Sequence, residues 1–168
     1  IVGIIEDRKG RYWIPAFFTG FLSLDPATGK VRVFRADGKP GSLTTNNVST
    51  LFEDSKGILY MYGLGGGFIT FNPDNETFKI YHHDPTDPTS VSHETSHSFF
   101  ETKNVRQPNE QGFIWFGTIG GGINVFNPMT GKFKSFTTLD GLAHNNVSSI
   151  IEDKNGNYWA STFGGVSR

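Results

Sequence analysis

One phrase of residues is written four times along this chain. IIEDRKGRYWI (4–14), LFEDSKGILYM (51–61), FFETKNVRQPNEQGFIWF (99–116) and IIEDKNGNYWA (150–160) share an apolar run, an acidic turn and a second apolar run. Their acidic markers Glu6, Glu53, Glu101 and Glu152 stand 47, 48 and 51 residues apart. No other feature constrains the fold as much. A unit of this size cannot bury its own apolar faces, so it must stack on copies of itself.

Each copy continues in the same way. The runs GFLSLD (20–25), GFITFN (67–72) and GINVFN (122–127) are followed by the turns DPATGK, NPDNET and NPMTGK. Short strands VRVF (31–34), FKIY (78–81) and FKSF (133–136) come next, and polar segments 35–47, 82–95 and 137–146 lead to the following copy. The unit is clearest at 112–133, where two strand-forming runs flank Gly120-Gly121-Gly122. The third copy also carries a polar insertion, 104–111, expected to be a surface excursion.

Each period therefore holds four short strands and no helical periodicity, which is the spacing of a β-propeller blade. Sixteen Phe, five Tyr and three Trp against two Met suit a strand-rich interior. Trp13, Tyr60, Trp115 and Trp159 recur once per period, so they are expected to pack between blades. The expected fold is all-β and antiparallel: a propeller segment of about three and a half four-stranded blades, with copies at 1–47, 48–95, 96–146 and 147–168. About 14 strand signals can be counted, while closed propellers hold roughly 4–8 complete blades. Either the chain is a fragment of a longer propeller, or a second copy closes a seven-bladed ring.

The stretch NNVSSIIEDKNGNYWASTFGGV (145–166) resembles the two-component regulator propeller repeat, in which Asn-Asn-Val precedes Ile-x-Glu-Asp, a Gly turn, Trp-Ile-Gly-Thr and Gly-Gly-Leu. The copy at 46–68 matches most of it, with Tyr60 in the Trp place. The third departs most, with Glu94-Thr95-Ser96 where Asn-Asn-Val is expected, and the first has Pro15-Ala16 where Gly-Thr is usual. The resemblance implies a periplasmic or extracellular ligand-sensing segment of a two-component regulatory system. Its familiar members are hybrid histidine kinases of Bacteroides-type gut bacteria, which sense glycan fragments. It implies no catalysis and no cofactor.

Other chemistries fit less well. A formal net charge of −1 without a block of like charges recommends neither nucleic acid nor anionic membrane as partner. With no cysteine there are no disulfides or thiolate metal sites. No apolar run approaches the roughly 20 residues of a membrane span. No signal peptide is visible, and the opening IVGIIED reads as a strand, which suggests processing or excision from something longer. His93-Glu94-Thr95-Ser96-His97 spells the zinc-protease motif H-E-x-x-H. That motif needs a helix to bring both imidazoles to one ion, and the repeat register makes this stretch the approach to a strand. Asp153-x-Asn155-Gly156-Asn157 resembles a calcium loop, but the copies at Asp7 and Asp54 lose those ligands, so a hairpin turn is expected in all. Gly65-Gly66-Gly67 and Gly120-Gly121-Gly122 lack the Lys-Ser/Thr of a phosphate loop and precede strands.

Function is expected where the copies disagree. In propellers the loops between blades and those joining second to third strands emerge on one face. Here they carry Phe17, Phe18, Asn46, Asn47, His93, Glu94, His97, His144, Asn145, Asn146 and Phe163. Aromatic faces with amide and imidazole groups suit a small polar ligand such as an oligosaccharide, whose C–H patches stack and whose hydroxyls need paired donors and acceptors. Two alternatives stand beside this one. A propeller-fold glycoside hydrolase or lyase would need a singular carboxylate pair, for which Glu94 and Asp140 are the non-repeated acids. A protein-binding scaffold would use the wide surface of stacked blades.

Overall fold

The computed structural model of the chain describes residues 3–39, 41–103 and 112–168, with the backbone alone at His97. The insertion at 104–111 lies outside the described residues. The chain divides into two compact units, Ile1–His82 and His83–Arg168.

The first unit holds two four-stranded antiparallel sheets, each a meander in chain order. One is β1 (Ile5–Glu6), β2 (Tyr12–Ala16), β3 (Gly20–Asp25) and β4 (Lys30–Phe34); the other is β5 (Val48–Glu53), β6 (Leu59–Gly63), β7 (Gly67–Asn72) and β8 (Thr77–Tyr81). The second unit holds β9 (Ser96–Glu101), β10 (Ile114–Thr118), β11 (Ile123–Asn127) and β12 (Lys132–Phe136). Its other sheet has three strands, β13 (Val147–Glu152), β14 (Tyr158–Thr162) and β15 (Gly165–Ser167). These are propeller blades, as the repeat requires. The described strands number 15 rather than about 14. The addition is β15, whose Gly-Val-Ser sequence is too short to carry a strand pattern.

Alternation along the strands makes the core between blades. In the first unit Trp13, Phe21, Leu43, Val48, Leu59, Met61, Ile69 and Phe71 form one buried cluster, with Phe34 and Phe78 packed against it. Phe21 stacks on Phe34 at 4.7 Å, Phe71 on Phe78 at 4.5 Å, and the Trp13 edge meets Phe71 at 5.6 Å. In the second unit Ile123, Val125, Leu142, Val147, Ile150 and Ala160 play this part, with Trp115 and Phe136 alongside.

The recurring aromatic position is not uniformly buried. Trp13 and Tyr60 are 2% and 1% exposed, whereas Trp159 is 37% exposed. Trp115 is half-buried between Phe136 at 6.0 Å and Tyr158 at 4.3 Å. The expectation of inter-blade packing therefore holds for the first two and in part for Trp115. Trp159 lies with Ile151 and Val166 among the exposed large apolar residues of the three-stranded blade, where no following blade among the described residues tests the expectation.

Tight turns set the spacing of the strands. The third strand of a blade opens on a glycine because its α-carbon runs close to the outer strand: a Cβ at Gly20 would sit 2.0 Å from the Phe34 carbonyl oxygen, and one at Gly122 2.1 Å from that of Phe136. Two ends of the strands result, one carrying the acidic turns and the other carrying the rim expected to bind.

Candidate functional site

The acidic turns hold the blades together. Asp7 Oδ1 accepts the backbone N–H of Lys9 and Arg11, each at 2.9 Å, and its Oδ2 accepts the Trp13 indole N–H at 2.8 Å. Asp54 repeats this with Lys56, Ile58 and the Tyr60 hydroxyl. Asp153 repeats it with Asn155, Asn157 and the Trp159 indole. The carboxylate of the calcium-like sequence is thus engaged by its own hairpin, as expected of a turn. Burial raises the Asp7 pKa, but the bonds from Trp13, Arg11 and Lys9 outweigh it and leave a net lowering. At Asp153 the bond from the Trp159 indole leads a larger lowering. The preceding glutamate works between blades. Glu53 accepts the Arg8 backbone N–H and side-chain Nε–H, and Glu152 accepts the Lys103 N–H at 3.4 Å.

The third copy breaks this circuit. Thr102 stands in the Asp place, and neither its hydroxyl nor the buried Trp115 indole N–H finds a partner among the described residues. The substitution was visible in the sequence; the orphaned indole needed the structure.

At the opposite strand ends the asparagine pairs stitch neighbouring turns. Asn46 accepts the Gly20 N–H on its carbonyl and the Ala36 N–H on its side chain, both at 2.8 Å. Asn145 does the same with Gly122 at 2.9 Å and Thr138 at 2.8 Å. The carbonyls of Asn47 and Asn146 accept the N–H of Leu64 and Phe163. Asn46 and Asn145 therefore have a structural task as well as a place on the rim. Ser92 and Asn124 meet at the third copy, where the pair is missing, with bonds of 2.9 and 2.6 Å.

Phe17 and Phe18 do project from the rim, 42% and 84% exposed. Phe18 has φ 65°, and the aligned residues Gly65 and Gly120 have φ 71° and 99°. A left-handed conformation is natural for glycine and costs a side-chain-bearing residue roughly 1–2 kcal/mol. Glu76 is the other described non-glycine residue with positive φ, and it forms a bidentate ion pair with Arg32. Phe18 has no such compensation for its ring. Its N–H donates to Asn47 Oδ1 at 3.1 Å, and its ring approaches Phe17 at 6.3 Å. Sequence reading overlooked Leu64 and Ile119, which align with Phe17 and are 57% and 37% exposed. Their adjoining glycine strings drew attention away from a recurrent apolar tip.

In the second unit the rim brings His144 and Phe163 together, stacked at 6.1 Å with 27° between planes. His144 Nδ1 accepts the Asn146 N–H at 2.9 Å, which leaves the proton of the neutral ring on Nε2. Ile119 bridges to Asn146. His93, Glu94 and Thr95 lie on the bend before β9, so the H-E-x-x-H stretch is not helical. His93 Nδ1 lies 3.1 Å from Thr95 Oγ1. His97 is a β9 residue whose side chain is outside the description. Asp140 accepts the Thr137 N–H at 2.8 Å in a capping box, which gives this non-repeated acid a structural role.

A cavity of about 620 Å³ lies elsewhere in the second unit, lined by Trp115, Phe136, Leu142, Tyr158, Ala160 and Ser167 among others. In the first unit the comparable inter-blade space is filled by Phe71 and Phe78. The cavity is packing space beside a three-stranded blade, so the rim is the better candidate site.

Residues 141–164 match the family described as "Two component regulator propeller". This stretch is a two component regulator propeller repeat. Solved structures carry similar blades. The extracellular domain of the hybrid two component system BT3049 from B. thetaiotaomicron superposes with TM-score 0.81 at 19% identity, over 99% of this chain and 22% of that one. The extracellular domain of BT4673 from the same organism gives 0.74 at 21%, over 96% and 22%. PorZ, a surface component of the type-IX secretion system of Porphyromonas gingivalis, gives 0.55 at 13%, over 98% and 31%. The chain thus spans between a fifth and a third of these structures, and the likeness is one of fold. No curated protein matches the sequence. No helix among the described residues is long and apolar enough to cross a membrane.

Proposed function

We propose that this chain is a ligand-sensing propeller segment of a two-component regulatory system, placed outside the cytoplasm. It acts by binding rather than catalysis. The propeller repeat and the extracellular sensor domains of similar fold support that setting. Its partners are a small polar ligand, with an oligosaccharide fitting the rim chemistry best, and further blades of a longer propeller.

The observation that carries the reading is Phe18. A large ring stands in solvent at a strained position that two other copies give to glycine. Beyond the bond from its N–H to Asn47 and the approach of its ring to Phe17, no hydrogen bond or ring contact among the described residues holds the Phe18 side chain, and an apolar surface for stacking sugar C–H faces accounts for the expense. Phe18→Ala is expected to weaken oligosaccharide binding by about 1–3 kcal/mol, the usual worth of one apolar side-chain contact. Calorimetry should compare it with Lys30→Ala, at the opposite strand end of the same unit. Equal affinity of Phe18→Ala and wild type, or a greater loss from Lys30→Ala, places the ligand elsewhere.

A further inference from the structure

Two exposed apolar tips of the first unit converge on Asn47. The turn between β2 and β3 presents Phe18, and the turn between β6 and β7 presents Leu64. Asn47 Oδ1 accepts the Phe18 N–H at 3.1 Å, and the Asn47 carbonyl accepts the Leu64 N–H at 2.9 Å. Each tip therefore stands one hydrogen bond from the same half-buried residue. The Asn47 N–H donates to Thr45 Oγ1 at 3.1 Å, and that hydroxyl donates to the Leu64 carbonyl, also at 3.1 Å.

The two tips are held by different means. The Leu64 turn is bound through main-chain groups and seated on Thr45, whose Cγ2 would lie 2.3 Å from a Cβ at Gly66. Phe18 is tied through a side chain, and here the copies differ. Gly120, the aligned residue of the second unit, donates to the main-chain carbonyl of Asn145 at 3.2 Å. Glycine adopts a positive φ without help, so no side chain needs to hold it. Phenylalanine at φ 65° carries a strain of the same order as the net worth of one hydrogen bond. Losing the Asn47 carboxamide lets that strain relax into extended or right-handed conformations, which aim the ring elsewhere.

We infer that Asn47 is the positioning residue of a two-tip platform: it holds the Phe18 ring in place beside Leu64, so that one ligand covers both. This rests on the oligosaccharide reading above and adds Leu64 to its site. Successive rings of a saccharide chain give such a ligand an apolar C–H face for each tip.

The test measures the 168-residue chain in two ways: amide hydrogen exchange without ligand, and calorimetric binding of gluco-, xylo-, manno- and arabino-oligosaccharides. Asn47→Ala should speed exchange of the Phe18 N–H and weaken binding roughly tenfold, as Phe18→Ala does. The Leu64 N–H, bonded to a main-chain carbonyl that every variant keeps, should retain its protection. Asn47→Asp keeps an oxygen in place for the Phe18 N–H and should restore both protection and affinity. Leu64→Ala should weaken binding several-fold through loss of its apolar contact. Asn47→Ser, whose hydroxyl falls one atom short of Phe18, replaces Asn47→Ala should that variant not fold. Loss of affinity on Phe18→Ala but none on Asn47→Ala overturns the positioning role and leaves the oligosaccharide reading intact. So does an Asn47→Asp variant that protects the Phe18 N–H yet binds as weakly as Asn47→Ala, because Asn47 would then touch the ligand itself. Wild-type affinity of Leu64→Ala overturns the two-tip platform. Phe18→Ala at wild-type affinity, or silence of the whole panel, overturns the reading and the inference together.

Discussion

At residue 102 one substitution separates a finished turn from an unfinished one. Asp7, Asp54 and Asp153 each close their hairpin onto an aromatic N–H or O–H, while Thr102 leaves the Trp115 indole unsatisfied. Restoring a charged acceptor should gain about 1.5–3 kcal/mol, the usual range for hydrogen bonds to charged groups. Thr102→Asp is therefore expected to melt higher than wild type. An unchanged or lower melting temperature would show that a carboxylate at 102 cannot reach the indole. Phe18 teaches the complementary lesson. Its departure from glycine was readable from the aligned copies, but the positive φ that gives it meaning was not.

Among elements, the acidic turns should govern behaviour in acid. The pKa values of Asp7 and Asp153 are lowered in the fold. A carboxyl with depressed native pKa contributes stability that is fully present above its unfolded value, about 3.9, and lost as pH falls through the native value. Thermal stability should therefore decline below about pH 4, and the Asp7→Asn/Asp153→Asn double variant should show a shallower decline. Superimposable acid profiles would remove these two turns from the account. The four strands of each full blade were legible because apolar alternation and turn glycines repeat in register. β15 was not, since three residues cannot display a period. Recurrence identified the register of Trp13, Tyr60, Trp115 and Trp159, and the first two are buried as that register requires.

For the whole molecule, the residues common to the copies hold blades together, and the proposed ligand site draws on those peculiar to single copies. The fold followed from the repeat. The rim's division of labour was not legible in the sequence, because Asn46 and Asn145 serve the backbone while the Asn146 carboxamide meets no partner among the described residues. Amide chemical-shift mapping of the ¹⁵N-labelled chain, titrated with the saccharide that binds, tests this division directly. The account predicts perturbations at the rim turns of the first unit, residues 17–19, 45–47 and 64–66, with the acidic turns 7–10, 54–57 and 153–156 silent. Shifts centred on the acidic turns, or on the cavity beside Trp115 and Tyr158, would contradict it.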